Sequence, residues 1–430
     1  MRILIIGGGP AGLAAAIAAA RSGASVVVAD RMDRLGKKLL ATGNGRCNLS
    51  NASLDAQKYH GAGAKTAYEI IGRAGGAFIG DFFNSVGVLT ALEDGTRIYP
   101  RTFSAGTALN ALRAEIARLG AAELTGREAI SVKVRGGVFE TAFRGGTSHT
   151  SDRVIVAAGG KAAPSLGSNG SGYGLFTKFG HSLSAMAPAL TQLRLEGRDI
   201  RGLKGLRVKA ALSLLRDAGG ERQIIFREAG ELLFTGYGLS GIPALNASCR
   251  IAPLVAGPDG PAESDKQRYS LNSPDYFVSI DLFPEYSIND LYEFLSGQVQ
   301  RNPQAPIGEL LRGVLHKQIA LLVAERIALS ANSPDARNYK LSERVISRAG
   351  RVLKDWRLNL TGVMGFDGAQ VTYGGLPIDE FSPDSLESKI VKGLYAAGEI
   401  LDVAGECGGY NLHWAWVSGY LAGIRAAGSA

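Results

Sequence analysis

Three glycines spaced as Gly7-x-Gly9-x-x-Gly12 constrain this chain more than any other feature. They sit between a β-branched apolar run, residues 2–6, and an alanine-rich stretch, residues 11–22, that reads as helix. Gly23 ends that helix, and residues 25–29 form a second buried strand closed by Asp30. A strand, a tight turn, a helix and a second strand make the unit that carries a dinucleotide at a helix start. Gly7 permits the turn, Gly9 lets a pyrophosphate approach the backbone, and Gly12 lets helix and strand pack closely. The helix start, with Pro10 and Ala11 in its first turn, offers N–H groups and a positive dipole end to phosphate. Asp30, with Arg31 beside it, stands where an acid accepts hydrogen bonds from a ribose.

Composition narrows the setting. Glycine makes up 58 of 430 residues, near twice the usual ~7%. It clusters in short turns, which suits backbone packed against a ligand. The net charge of +8 admits a nucleic-acid partner, yet the one basic cluster, Arg194, Arg198, Arg201, Lys204, Arg207 and Lys209, reads as the wet face of a sheet. Cys47, Cys249 and Cys407 lie far apart, which excludes a CxxC redox or zinc motif and fits a reducing, cytoplasmic setting. Gly7-Gly8-Gly9-Pro10 breaks what otherwise imitates a signal peptide, and no apolar run is long enough for a membrane span.

Residues 31–63 read as loop-rich, with helices over 64–73 and 105–119. Strands follow over 122–134 and 138–143, joined at Gly136-Gly137, and over 153–158. Near residue 188 the character changes. Residues 190–215 alternate apolar and polar, 258–273 read as a surface loop, and 287–350 read as helical, including 288–298 and 307–329. From about 351 the strand-and-glycine style of the start returns. The expected organisation is a cofactor domain, 1–187 plus 351–430, interrupted by a substrate domain that is β-rich over 188–286 and helical over 287–350.

The fingerprint alone does not separate FAD from a nicotinamide dinucleotide. Two further regions bear on the choice. One is Lys38-Leu39-Leu40-Ala41-Thr42-Gly43-Asn44-Gly45-Arg46-Cys47-Asn48. The other runs from Gly398-Glu399 to Gly409-Tyr410-Asn411-Leu412-x-Trp414-Ala415-Trp416. Together they resemble the BaiN-like family of FAD-dependent oxidoreductases, which includes aminoacetone-oxidase-type enzymes. The resemblance spans the chain and covers Val156-Ala157-Ala158-Gly159-Gly160, Phe234-Thr235-Gly236-Tyr237-Gly238-Leu239-Ser240-Gly241 and Ala369-Gln370-Val371-Thr372-Tyr373-Gly374-Gly375. It implies an α/β fold: a Rossmann-like, glutathione-reductase-type FAD-binding domain with an inserted β-rich plus helical substrate domain.

By position, the resemblance implies a path for FAD. Gly7, Gly9, Pro10, Ala11 and Gly12 hold the pyrophosphate, and Asp30 the adenosine ribose, with Arg31 beside it. Ala129, Ala158 and Gly159 flank the adenosine side, and Lys38 lies along the path. Thr42, Gly43, Gly45, Arg46, Cys47 and Asn48 pass beside the isoalloxazine. Gly398 and Glu399 meet the ribityl chain, and Gly409, Tyr410, Asn411 and Leu412 the pyrimidine end. Phenylalanine is frequent in the family where Ala396 stands, glutamine where His413 stands, and threonine where Cys407 stands.

The catalytic candidates are Arg46, Tyr237 and His413. Arg46 either stabilises negative charge at the ring or pairs with a loop carboxylate. Tyr237 either faces substrate or packs, and Arg101 offers a further substrate contact. His413 either moves protons or packs. Cys47 reads as a packed, inert thiol. The expected chemistry is hydride transfer between a small substrate and flavin N5. It takes one of two forms implied by the resemblance: amine oxidation, or reduction of an activated C=C. No second GxGxxG stands at a strand–helix junction, so NAD(P)H would visit transiently, or oxygen would take the electrons. A flavin-dependent tRNA-modifying protein is the alternative that the charge suggests, and a non-catalytic flavin sensor is another.

Overall fold

The computed structural model describes residues 1–256, 269–271, 273–330 and 343–428. The chain divides into two compact units, and the junctions of the described chain fall after Leu190 and after Met364.

The first unit is built on a five-stranded parallel sheet. Its order is Leu394–Ala396, Arg153–Val156, Arg2–Ile6, Ser25–Ala29, Ala122–Leu124. The central strand is fully covered, which is why its residues form an unbroken apolar run rather than an alternation. The helix Pro10–Arg21 begins with proline at its first position and buries every residue from Ala11 to Ala19. That burial leaves no wet face, and the small side chains explain how. The final helix, Tyr410–Ala426, crosses it with Gly419 over Ala11 and Gly423 over Ala15. A methyl group on either glycine would overlap a carbonyl oxygen of the first helix. The two ends of this unit's sequence thus share one core, with Trp414, Trp416, Phe83 and Ile5 among its fully buried members.

Two expectations for this unit need correction. Residues 122–134 are not one strand. Ala122–Leu124 closes the parallel sheet, whereas Ala129–Arg135 joins an antiparallel sheet with Val138–Phe143 and Ser148–Ser151, because 125–128 turn between them. The loop-rich stretch 31–63 contains a short helix, Lys37–Ala41, and two-residue strands at Ser50–Asn51 and Tyr59–His60.

The second unit is a closed six-stranded barrel with helices. The strands run Leu193–Leu195, Gly238–Ser240, Glu221–Phe234, Arg207–Ala218, Tyr276–Asp281 and Trp356–Val363 around the barrel, all neighbours antiparallel. Trp356–Val363 falls here rather than with the first unit because it pairs with both Leu193–Leu195 and Tyr276–Asp281 and so closes the barrel. Its alternating burial puts Trp356 and Leu358 inside, with the Phe234 and Trp356 rings 5.8 Å apart. Residues 190–215 are two strands with a 3₁₀ turn, Gly197–Ile200, between them. The basic cluster also divides. Arg201, Lys204, Arg207 and Lys209 are exposed, Arg194 is buried, and the side chain of Arg198 lies outside the described residues. The helix expected over 307–329 is two, Ile307–Leu310 and Lys317–Ser330. Most of the surface loop expected over 258–273 lies outside the described residues.

Candidate active site

The glycine loop is fixed by backbone and one carboxylate. Gly7 has φ 106° and donates to the Ala29 carbonyl at 2.7 Å. The Gly8 N–H donates to Asp30 Oδ2 at 2.7 Å, and the Met32 N–H to Asp30 Oδ1 at 2.7 Å. Burial pushes the Asp30 carboxyl up, and these two N–H donors oppose that shift. An ionised carboxylate offers about four acceptor sites, so two remain for ribose hydroxyls. The three fingerprint glycines differ in what surrounds them. A methyl group on Gly12 would overlap the Gly7 carbonyl oxygen, and one on Gly7 would overlap Ala157. At Gly9 a methyl group would meet nothing within 4 Å. That opening lies against the first turn of a helix whose leading N–H groups have no intrahelical partner. Free N–H donors beside open space suit a pyrophosphate.

The second segment is strained. Gly43, Asn44, Gly45 and Cys47 have φ of 57°, 55°, 83° and 59°. Asn44 and Cys47 carry side chains in this left-handed region, at a cost of order 1–3 kcal/mol each. Such strain persists where surroundings impose it, and here Cys47 N–H donates to the Thr42 carbonyl at 3.0 Å. Thr42 Oγ1 donates to the Leu39 carbonyl at 2.6 Å. Burial pushes the Cys47 thiol up to about 12. It is a thiol at any working pH, and none of Cys47, Cys249 and Cys407 forms a disulfide. Arg46 pairs with Glu93, and its guanidinium carbon lies 4.6 Å from the Tyr99 ring centre and 4.8 Å from that of Phe103. Asn48 Oδ1 is buried without a hydrogen-bond partner.

The amino- and carboxy-terminal parts of the first unit meet here. Lys38 Nζ donates to Glu399 Oε2 at 2.8 Å and to the Ala162 carbonyl at 3.1 Å. Glu399 Oε1 accepts the Thr372 N–H at 3.0 Å. Gly409 has φ 99°, and a methyl group there would strike the Ser50 backbone. Ser50 Oγ lies 2.6 Å from His413 Nδ1, and Trp416 Nε1 donates to the Leu49 carbonyl at 3.2 Å. Asn411 clasps Gly405, donating to its carbonyl at 2.6 Å and accepting its N–H at 2.7 Å. Tyr410 Oη donates to the Ser53 carbonyl at 3.2 Å. His413 is 2% exposed, and burial pushes its imidazole down to about 4. It is therefore neutral at working pH and serves Ser50 as a packed partner, while Nε2 is buried without a hydrogen bond.

The expected residues of the first unit thus converge on one region, with qualifications. Gly398 packs against Ala11 and is tied to Ser418 and Trp414 by hydrogen bonds of 3.0 and 3.2 Å. Ala158 and Gly159 follow the strand beside the glycine loop, Gly159 with φ 73°. Ala129 is buried at the start of its antiparallel strand, and Arg31 reaches the Pro164 and Gly167 carbonyls at 3.4 Å. Leu412 is half-buried, and Arg101 is exposed. Tyr237 is 40% exposed on a turn of the barrel unit. Sequence reasoning missed Ser50, Thr372 and the cluster of Lys58, His60 and Glu406. Polar residues in irregular backbone carry no periodic signal, and their partners lie hundreds of positions away.

The open Gly9 cradle, two glycine-led helix starts and the orphaned Asn48 oxygen fit a flavin dinucleotide laid between the ends of one unit. The class so defined is an FAD-dependent oxidoreductase with a Rossmann-type cofactor domain. Within it, the chain belongs to the HI0933-like protein Rossmann domain family, which it matches over residues 1–425. It is 38% identical over 430 residues to a 3-dehydro-bile acid delta(4,6)-reductase of Clostridium scindens, covering 99% of each chain. It is 28% identical over 420 residues to a ribosomal RNA dihydrouridine synthase of Escherichia coli, covering 97% of this chain and 96% of that one. Among solved structures it is similar to a 3-ketosteroid-delta4-(5alpha)-dehydrogenase of Rhodococcus jostii. That likeness is 17% identity with a TM-score of 0.45, covering 99% of this chain and 96% of the other, too distant to bear on substrate.

Proposed function

We propose that this enzyme adds hydrogen across an activated carbon–carbon double bond of a small organic substrate. The observation that carries the reading is the full-length 38% identity to a delta(4,6)-reductase, a name that denotes hydrogenation of ring double bonds. The cofactor site supports it. FAD, when bound, supplies the hydride carrier. Gly7, Gly9 and Gly12 with the first helix start bind its pyrophosphate, and Asp30 its ribose. The Lys38–Glu399 pair lies along the chain that links the two halves of the dinucleotide. Gly409 to Leu412 offer helix N–H groups to the part of the ring that gains negative charge. Arg46 and His413 act as positioning residues. Amine oxidation is the less favoured form, since the two curated relatives described above are named for double-bond chemistry.

The electron donor we assign is a reduced nicotinamide that docks transiently. Cysteines without disulfides suit a reducing compartment, and we place the enzyme in the cytoplasm. Among the described residues no helix is long and apolar enough to cross a membrane. The tRNA alternative is not favoured, because the RNA-directed relative is named for ribosomal RNA and stands at the lower identity.

An anaerobic stopped-flow experiment tests the reading. NADPH or NADH should bleach the oxidised flavin, and a 3-oxo-4,6-diene steroid should restore its colour. Reduction by primary amines, together with indifference of the reduced enzyme to the dienone, would overturn it.

A further inference from the structure

The chain between Thr42 and Ser50 runs from the left-handed segment to the start of the final helix. At one end the Cys47 N–H donates to the Thr42 carbonyl at 3.0 Å. At the other, the Leu49 carbonyl accepts from Trp416 Nε1 at 3.2 Å, and Ser50 Oγ lies 2.6 Å from His413 Nδ1. A methyl group on Gly409, the residue that opens the helix Tyr410–Ala426, would lie 2.5 Å from the Ser50 carbonyl. Asn48 stands between these two anchorages. Its carboxamide oxygen is buried and has no hydrogen-bond partner among the described residues, while the residue as a whole is half-buried. A methyl group on Gly43 would come within 3.0 Å of the Asn48 nitrogen and 3.7 Å of its Cβ, so that glycine keeps the space beside Asn48 clear.

A buried amide oxygen without a donor is costly, and the donor it needs must come from outside the chain. His413 Nε2 is also buried without a partner, but its ring is 2% exposed and sealed from any ligand. Asn48 reaches an open side. The nearby helix start favours negative charge. Reduced flavin carries its negative charge at N1 and the C2 carbonyl, so the pyrimidine ring suits that helix start. In oxidised flavin the one ring N–H donor is N3–H, in the same pyrimidine ring. N1, N5 and both carbonyl oxygens only accept. A carboxamide sets an acceptor beside a donor, and N3–H with the C4 carbonyl sets a donor beside an acceptor. The two edges match as a bidentate pair, as asparagine matches the edge of adenine.

We propose that Asn48 reads the imide edge of the flavin, its Oδ1 accepting from N3–H and its Nδ2 donating to the C4 carbonyl. N3–H is present in oxidised and in two-electron-reduced flavin, so this bond holds the ring in both states. N5–H exists only after reduction, and an amide oxygen bound there would favour the reduced state instead. Asn48 is thus a positioning residue that leaves N5 to the substrate. The proposal rests on FAD as the cofactor and is independent of the double-bond reading above.

A modified cofactor tests the bond. Full-length protein freed of FAD is titrated with FAD or with 3-methyl-FAD, in which a methyl group replaces the N3 hydrogen, and flavin fluorescence reports binding. Wild type should bind 3-methyl-FAD about 100-fold more weakly than FAD. Leucine is close to asparagine in size and cannot accept a hydrogen bond. Asn48→Leu should bind FAD about tenfold more weakly than wild type does, as expected for one lost buried hydrogen bond. Its preference for FAD over 3-methyl-FAD should shrink by about tenfold. The midpoint potential of its bound flavin, from a dye-coupled titration, should show relative affinities of the two redox states within about fivefold of wild type, or ~21 mV. Wild type that binds both flavins alike overturns the proposal, as does an undiminished preference in Asn48→Leu. A larger fall in potential moves the bond to N5 and also overturns it. If Asn48→Leu does not fold, Asn48→Ala decides by the same criteria. Wild type that binds neither flavin removes FAD itself, whereas failure of the FAD-loaded enzyme with a dienone touches only the double-bond reading.

Discussion

The first and the last helix of the first unit both begin at glycine, and the two starts are built for different things. At the first, Gly9 has an ordinary φ of −76°, and nothing of the protein occupies the space where its side chain would be. At the last, Gly409 has φ 99° and is pressed against Ser50. Gly419 and Gly423 further along press against the first helix. One glycine leaves room for a ligand, while the others leave room for backbone. The same residue type therefore reports two opposite conditions, and only the surrounding atoms tell them apart.

The sharpest way to break this contrast is substitution at each kind of site. Gly419→Val would drive a side chain into the Ala11 carbonyl, so overpacking should cost about 3 kcal/mol or more and abolish FAD retention. Thermal melting and flavin absorbance check this, and a variant that melts like wild type refutes the packing account. Gly9→Ala should leave the unliganded protein's stability within about 1 kcal/mol yet weaken FAD by about 100-fold, or ~2.7 kcal/mol. Unchanged FAD affinity, measured by fluorescence titration, would show that the open space is not the pyrophosphate site.

His413 sharpens the comparison at the crowded start. Its folded pKa, about 4, lies below the ordinary 6.5, so the unfolded chain takes up the proton first. Stability is full above pH 6.5 and declines as pH falls toward 4. Between pH 7 and pH 5 this residue should remove about 2 kcal/mol, and His413→Gln should lose that much less. Urea midpoints at the two pH values check the sign. The smallest effect belongs to Cys47. At pH 8 iodoacetamide should label the half-exposed Cys407 and leave Cys47 untouched in folded enzyme, as peptide mass mapping would show.

Some of this was legible in the chain and some was not. The fingerprint, the buried strands of residues 2–6 and 25–29 and the helix between them follow from local pattern, because the whole strand–turn–helix–strand unit is complete within thirty residues. The region 36–48 was recognisable only by resemblance, since a run of left-handed backbone has no periodicity. The barrel was read as a sheet with one wet face. Alternation marks an exposed face but says nothing of closure, which depends on Leu193–Leu195 meeting Trp356–Val363. Arg194 was placed with its exposed neighbours for the same reason, although barrel closure buries it.

The sequence by itself determined that the first helix start takes a dinucleotide, because a glycine's permissiveness and a strand's apolar run act over a few residues. Tertiary structure decided which glycines face a ligand. It also decided that Arg46 is matched by Glu93, that Cys47 is sealed as a thiol, and that Lys58 and His60 gather around Glu406. Those are properties of burial and of charges brought together across tens to hundreds of residues, and both exist only once the chain has closed on itself.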